Sequence, residues 1–154
     1  MGGSQLVSRE DEKYAYQVGA MIAREGWLLL NGGRPSGIME ASARGAKDNG
    51  GLTIGILPAD DAKWASSYID IPIVTGMGIA RNVINVLSSD IVVALPGRSG
   101  TVSEIALALN YGKIVILFRF NLGDWIKEYK QEGRVFFVDK IEALRELIIS
   151  KLEI

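Results

Sequence analysis

Short apolar runs alternate with longer amphipathic stretches along the whole of this sequence, and that alternation constrains its fold more than any other feature. The short runs cover 27–31, 52–57, 71–75, 91–95, 114–118 and 135–138, with Gly, Pro and Asp as the punctuation between segments. Ile91-Val92-Val93-Ala94-Leu95 and Ile114-Val115-Ile116-Leu117-Phe118 carry no polar alternation, as strands covered on both faces of a parallel sheet require. The intervening stretches read as helices. Ser8 followed by Arg9-Glu10-Asp11 predicts an N-cap with acid in the first turn, and Tyr14, Val18, Met21 and Ile22 then share one face up to a stop at Gly26. Further helices are predicted over 37–49, 79–88, 101–111, 124–131 and 140–152. With no internal repeat and no linker, the 154 residues predict a single-domain, doubly wound Rossmann-like α/β fold over 1–154. In such a fold the first strand lies centrally, yet here Met1-Gly2-Gly3-Ser4-Gln5 leads almost at once into a helix. The first strand is therefore expected to be cut short, with residues 1–4 either its stub and glycine turn or a flexible terminus.

Composition removes several chemistries. Cys and His both number 0, which excludes a thiolate nucleophile, an imidazole base and any Cys/His zinc site. Lys and Arg total 17 against 18 Asp and Glu, so the formal charge of -1 gives no general basic field for nucleic acid or anionic lipid. No apolar run reaches the ~20 residues that span a bilayer, and a cytoplasmic protein is expected.

Ligands of open α/β sheets bind outside the carboxyl ends of the strands, so the loops leaving the strands carry the functional signal. Gly32-Gly33-Arg34-Pro35-Ser36-Gly37 runs from a strand into a helix, where glycines admit a ligand to the backbone and free N–H groups face an anion. Ile38 and Met39 stand where a P-loop has Lys and Ser/Thr, which argues against triphosphate chemistry. Gly97, Arg98, Ser99, Gly100 and Thr101 form a second such loop, with Glu104 one turn into the helix. Without His, Ser99 has no activating base. A third loop, Thr75-Gly76-Met77-Gly78, brings Arg81 near a helix start, where a cation opposes the macrodipole and calls for an anionic partner. The G-x-G-x-x-G dinucleotide fingerprint is absent from all three loops. The expectation is one phosphorylated small-molecule ligand held by Gly32, Gly33, Gly37, Gly97, Arg98, Ser99, Gly100 and Thr101, beside Arg81 and Glu104, with no metal and no resident cofactor. Phe120 and Trp125 leave the same edge and are candidates to stack on a base.

Two motifs also carry a family resemblance. Gly32-Gly33-Arg34-Pro35-Ser36-Gly37-Ile38-Met39 with Ala43-Arg44-Gly45-Ala46 resembles the GGGxxGLM...ARGA segment of the Lonely Guy family, Rossmann-like proteins long labelled lysine decarboxylases. Gly97-Arg98-Ser99-Gly100-Thr101-Val102-Ser103-Glu104, after Pro96, is similar to that family's PGGxGTxxE signature. The resemblance implies cleavage of the N-glycosidic bond of nucleoside 5′-monophosphates to free base and ribose 5-phosphate, with Glu104 and Arg81 at the positions that carry the chemistry. It also implies a homodimer or larger homo-oligomer. Gly78 replaces a family Met, Asn82 a family Lys, and Arg98 the second Gly of PGG. A related branch, similar to the molybdenum-cofactor carrier proteins, shares the fold and binds a phosphorylated pterin without cleaving it, and a carrier or sensor of that kind, for a pterin or a nucleotide, is the alternative to hydrolysis. A decarboxylase using pyridoxal phosphate needs a Schiff-base Lys in the pocket, and Lys47, Lys63 and Lys113 all fall elsewhere.

Overall fold

The structure, a computed structural model, describes residues 1–3 and 8–152. Its strands are β1 (Leu29–Asn31), β2 (Thr53–Leu57), β3 (Ile71–Val74), β4 (Ile91–Ala94), β5 (Ile114–Phe118) and β6 (Val135–Val138). Its helices are α1 (Arg9–Arg24), α2 (Gly37–Asp48), α3 (Asn82–Leu87), α4 (Ser99–Asn110), α5 (Lys127–Gln131) and α6 (Ile141–Leu152). All the strand pairs are parallel, and strand and helix alternate as expected for a Rossmann-like α/β protein except between β2 and β3, which are joined by residues 58–70 without a helix.

The sheet itself departs from the expected continuous one. The described strands form two three-stranded sheets, β1-β2-β3 and β4-β5-β6, with no ladder between β1 and β4. The element that would join them is present only as a stub. The Met1 nitrogen donates to the Val93 carbonyl at 2.5 Å, the Leu95 N–H donates to the Met1 carbonyl at 2.8 Å, and the Gly3 N–H donates to Pro96 at 3.1 Å. Those first two bonds are the signature of a parallel bridge. Residues 1–3 are therefore a strand end and its turn, while Ser4 lies outside the described residues.

Local chemistry sets the element ends. Asp11 N–H donates to Ser8 Oγ at 3.0 Å and Ser8 N–H donates back to Asp11 Oδ2 at 3.2 Å, so α1 opens with a complete capping box. At its other end Gly26 takes φ +74° and Trp27 N–H donates to the Ile22 carbonyl. Trp27 thus belongs to the helix exit, which is why β1 begins at Leu29 rather than at 27. The helix expected over 79–88 is a 3-10 turn, Gly78–Arg81, followed by α3. A second 3-10 turn, Asp124–Ile126, precedes α5.

β5 shows why two of the strands read as unbroken apolar runs. Ile116 and Phe118 point into a core built with Val18 of α1, Ile38 of α2 and Leu144 of α6. Val115 and Leu117 point into a second core with Val86 of α3 and Ile105 of α4. Each such fully buried aliphatic side chain contributes roughly 1.5–3 kcal/mol. β3, by contrast, is an edge strand exposed at every position. Helices α1 and α2 cross at Gly19 and Gly45, each of which faces a backbone carbonyl of the other helix, Ser42 and Tyr16 respectively, with no room for a Cβ. Among the described residues no helix is long and apolar enough to cross a membrane.

Candidate functional site

A cleft of about 450 Å³ lies at the carboxyl ends of β1 and β4. Gly32 and Arg34 line it from the loop after β1, Gly78 and Arg81 from the 3-10 turn, and Arg98, Ser99, Gly100, Thr101 and Glu104 from the start of α4. Three loops expected to converge do so, and Gly2 and Gly3 of the strand stub complete the wall.

Arg81 and Glu104 are the buried charges of this cleft, at 8% and 7% exposure. Arg81 Nη1 stands 3.5 Å from Glu104 Oε1. The same carboxylate oxygen accepts from Asn85 Nδ2 at 2.9 Å, and Arg81 Nη1 also donates to Asn82 Oδ1 at 2.7 Å. Asn82 Nδ2 in turn donates to Ser103 Oγ at 3.2 Å, and Ser103 Oγ donates to the Gly100 carbonyl at 2.7 Å. A continuous polar chain thus ties the guanidinium to the first turn of α4. Burial holds the Arg81 pKa below its ordinary value; Glu104 opposes that shift and the Arg34 charge adds to it. Arg81 Nε is buried without a hydrogen-bond partner, and so is Asn85 Oδ1. Among the described residues neither atom finds a partner, so the ion pair is bordered by unsatisfied polar groups.

The N-terminus of α4 opens on the cleft. Its N-cap is Arg98, whose side chain makes no capping bond. Ser99, Gly100 and Thr101 therefore bring first-turn N–H groups with no intrahelical acceptor to the cleft wall. Arg34, Arg81 and Arg98 set three positive charges against Glu104, although the whole chain is close to neutral. Such an excess suits a ligand with at least two negative charges, such as a phosphate monoester.

Other expected positions have different work. The α2 start reaches the cleft only through Met39, and its Ile38 N–H is taken by the Gly3 carbonyl at 3.0 Å. Gly33 and Gly37 are not in the cleft wall. Gly33 N–H donates to Asn31 Oδ1 at 2.8 Å and its carbonyl accepts from Ser66 N–H at 2.8 Å, which folds the loop back on the chain after β2. Gly97 is also outside the wall, pressed against Thr101 and Gly3. Gly32 has a direct role, because a Cβ there would run into the Arg81 guanidinium and the Met39 sulfur. The Ala43-Arg44-Gly45-Ala46 segment serves the α1–α2 crossing, with Ala43 and Ala46 fully buried. Phe120 and Trp125 also stand outside this cleft; Trp125 meets Tyr129 edge-on at 6.4 Å. Asn85 lies in no motif of the sequence, although its four-residue spacing from Arg81 puts both on one side of a helical turn.

A model described as the SLOG cluster4 family matches residues 1–145 of the chain. The chain belongs to the SLOG cluster4 family. Among solved structures, this SLOG protein is similar to the molybdenum cofactor binding protein of Rippkaea orientalis, with 45% identity and a TM-score of 0.86 over 99% of this chain and 94% of that one. It is also similar to the molybdenum cofactor carrier protein of Chlamydomonas reinhardtii, with 36% identity and a TM-score of 0.86 over 95% and 90% of the two chains. A cytokinin riboside 5′-monophosphate phosphoribohydrolase of Mycobacterium tuberculosis is 38% identical over 93 residues, 59% of this chain and 50% of that protein. The SLOG chain thus has the Rossmann-like fold of the carrier proteins and relatives named cytokinin riboside 5′-monophosphate phosphoribohydrolase.

Proposed function

We propose that the cleft binds a phosphorylated small molecule, a phosphopterin of the molybdenum-cofactor class, and holds it intact as a carrier or sensor would. The observation that carries this reading is the state of Glu104. Its Oε1 is occupied both by Asn85 Nδ2 and by the Arg81 guanidinium. That oxygen is committed to organising Arg81, which leaves only Oε2 to face water. The phosphate would lie on the Ser99, Gly100 and Thr101 N–H groups, with Arg98 and Arg34 beside it. The degree of similarity points the same way, since the carrier structures match nearly the full chain at 36–45% identity, whereas the hydrolase relatives match half of their own length at 38% or 78% of it at only 27%.

A second reading is hydrolysis of a nucleoside 5′-monophosphate. It is favoured by one observation, the meeting of Arg81 and Glu104 in the cleft at the positions the Lonely Guy motifs would assign to the chemistry. There Glu104 would stabilise the positive charge that develops on the sugar as the base departs. The two readings separate in one experiment, in which the protein is incubated with a panel of nucleoside 5′-monophosphates and a phosphopterin, and the products are resolved by chromatography. The carrier reading expects stabilisation by the phosphopterin and recovery of every ligand unchanged. Release of free base and ribose 5-phosphate, abolished by Glu104→Gln, overturns it in favour of hydrolysis.

The proposal includes a homo-oligomer. β3 presents Ile71, Ile73 and Val74 at 43%, 43% and 44% exposure on an unpaired sheet edge, a surface that soluble proteins cover or pair.

A further inference from the structure

Residues 58–70 stand where two parallel neighbours, β2 and β3, are usually joined by a crossover helix, and they leave the carboxyl end of β2, on the side of the sheet where the cleft lies. Their backbone is fastened to two walls of that cleft. On one side Ser66 N–H donates to the Gly33 carbonyl at 2.8 Å, and Gly33 lies between the wall residues Gly32 and Arg34. On the other, the Pro58 and Ala59 carbonyls accept from Gly78 and Gly76 N–H, each at 2.9 Å, at the foot of the 3-10 turn that carries Ile79 and Arg81. Between these fastenings the bonds of residues 60–65 stay within the tip: Ala65 N–H donates to the Ala62 carbonyl at 3.1 Å, Lys63 N–H donates to Asp61 Oδ1 at 3.0 Å, and the two side chains of that last pair stand 3.4 Å apart. A tip held only by local bonds opens and recloses at low cost.

The tip carries Trp64, which is 72% exposed and belongs to none of the apolar cores. Among the large apolar side chains of the described residues only Ile79, itself in the cleft wall, is as exposed. Trp64 lies two Cα–Cα steps, at most about 7.6 Å, from its fastening at Ser66, so the indole sits on a short tether beside the Gly32–Arg34 loop. The cleft lacks what a planar ring calls for. No aromatic side chain lines it, and Pro58 and Ile79, on adjoining segments, offer an apolar contact to one face of a ring only. Resting on the phosphopterin reading of this cleft, we infer that Trp64 is its second wall: on binding, the 60–65 tip turns about its fastenings and lays the indole on the open face of the ligand's ring. The first turn of α4 places the phosphate, and the indole selects for a planar heteroaromatic body behind it. Stacking of this kind tells a ring from no ring and is tolerant of the ring's substituents, because every such ring has a π-face.

The test uses inorganic phosphate, ribose 5-phosphate and a phosphopterin. Trp27→Phe with Trp125→Phe leaves Trp64 as the single reporter among 3 tryptophans, and acrylamide quenching of its emission reads its access to solvent. Expected is a drop in that access with the phosphopterin and no change with the two ring-less phosphates, although all three raise the thermal midpoint. In the otherwise unchanged chain, Trp64→Ala should weaken phosphopterin binding about tenfold or more and Trp64→Phe much less, with the midpoint shift by inorganic phosphate kept in both. The inference is overturned if the phosphopterin leaves access to Trp64 unchanged or if Trp64→Ala binds it as the parent does. It is equally overturned if Trp64→Ala weakens inorganic phosphate to the same degree, or shifts the chain to a smaller species in ultracentrifugation, since Trp64 would then serve the fold or the assembly. Failure of the phosphate reading is told apart in the parent chain, whose midpoint would move with none of the three ligands, and it removes the inference as well.

Discussion

At the scale of single residues the cleft proposed to hold the phosphate depends on contacts that leave no room for substitution. Arg81 lies over Gly32, and a methyl group there would have to displace the guanidinium or the Met39 sulfur. Gly32→Ala is therefore expected to cost about 1–3 kcal/mol by overpacking and to abolish stabilisation by a phosphorylated ligand, as read by thermal shift with and without it. Asn85 is fully buried and holds Glu104 Oε1. Asn85→Ala should destabilise the fold by about 1–3 kcal/mol in urea titration, since the carboxylate loses a partner in a place water reaches poorly. The sequence made Arg81 and Glu104 legible through their loops, but not the bonds of Asn82 and Asn85, because an amide on a short helix carries no mark of what it faces. Nor could it separate the glycines that admit a ligand from those that pack: Gly45 sits in a family motif yet serves a helix crossing, and Gly33 turns a loop.

At the scale of elements, strand positions were readable because double-sided burial removes every polar residue, as β5 illustrates with alternate residues in two cores. Boundaries were less so. Trp27 looks like strand from its hydrophobicity but is held by the exit of α1. The start of α1 was readable in full, and Ser8→Ala is expected to cost about 1 kcal/mol in chemical denaturation because it removes the cap. The start of β2 is fastened to that of β3 by Asp70, whose carboxylate accepts from Thr53 N–H and Thr53 Oγ1, each at 3.0 Å, and pairs with Lys47. The bond from Lys47, aided by those from Thr53, holds the Asp70 carboxyl below its ordinary value of 3.8, against a smaller opposing effect of burial. A carboxyl lowered on folding lends stability that is fully present above the unfolded value and is lost as pH falls through the folded one. Urea midpoints should therefore drop more steeply below about pH 4 in the parent chain than in Asp70→Asn, by an amount kept small by solvent around the pair.

At the scale of the whole molecule, two features follow from topology rather than from any one segment. The split sheet was foreshadowed by the missing first strand, yet only the pairing of Met1 with Val93 and Leu95 shows that residues 1–3 occupy its end. The exposed edge at β3 bears on assembly: analytical ultracentrifugation should find a dimer or larger species, and Ile73→Lys should shift it toward monomer by placing charge on the pairing edge. The phosphate cleft concentrates positive charge on a molecule whose formal charge is -1, so ligand affinity should fall as salt rises. The most direct measurement is thermal unfolding with a phosphopterin and, separately, with the same pterin lacking its phosphate. The phosphorylated form at ~100 times its dissociation constant should add ~2.7 kcal/mol, with the dephosphorylated parent far weaker and Arg98→Glu removing the difference. Equal stabilisation by both forms, or none by either, would contradict an anion seated on the first turn of α4.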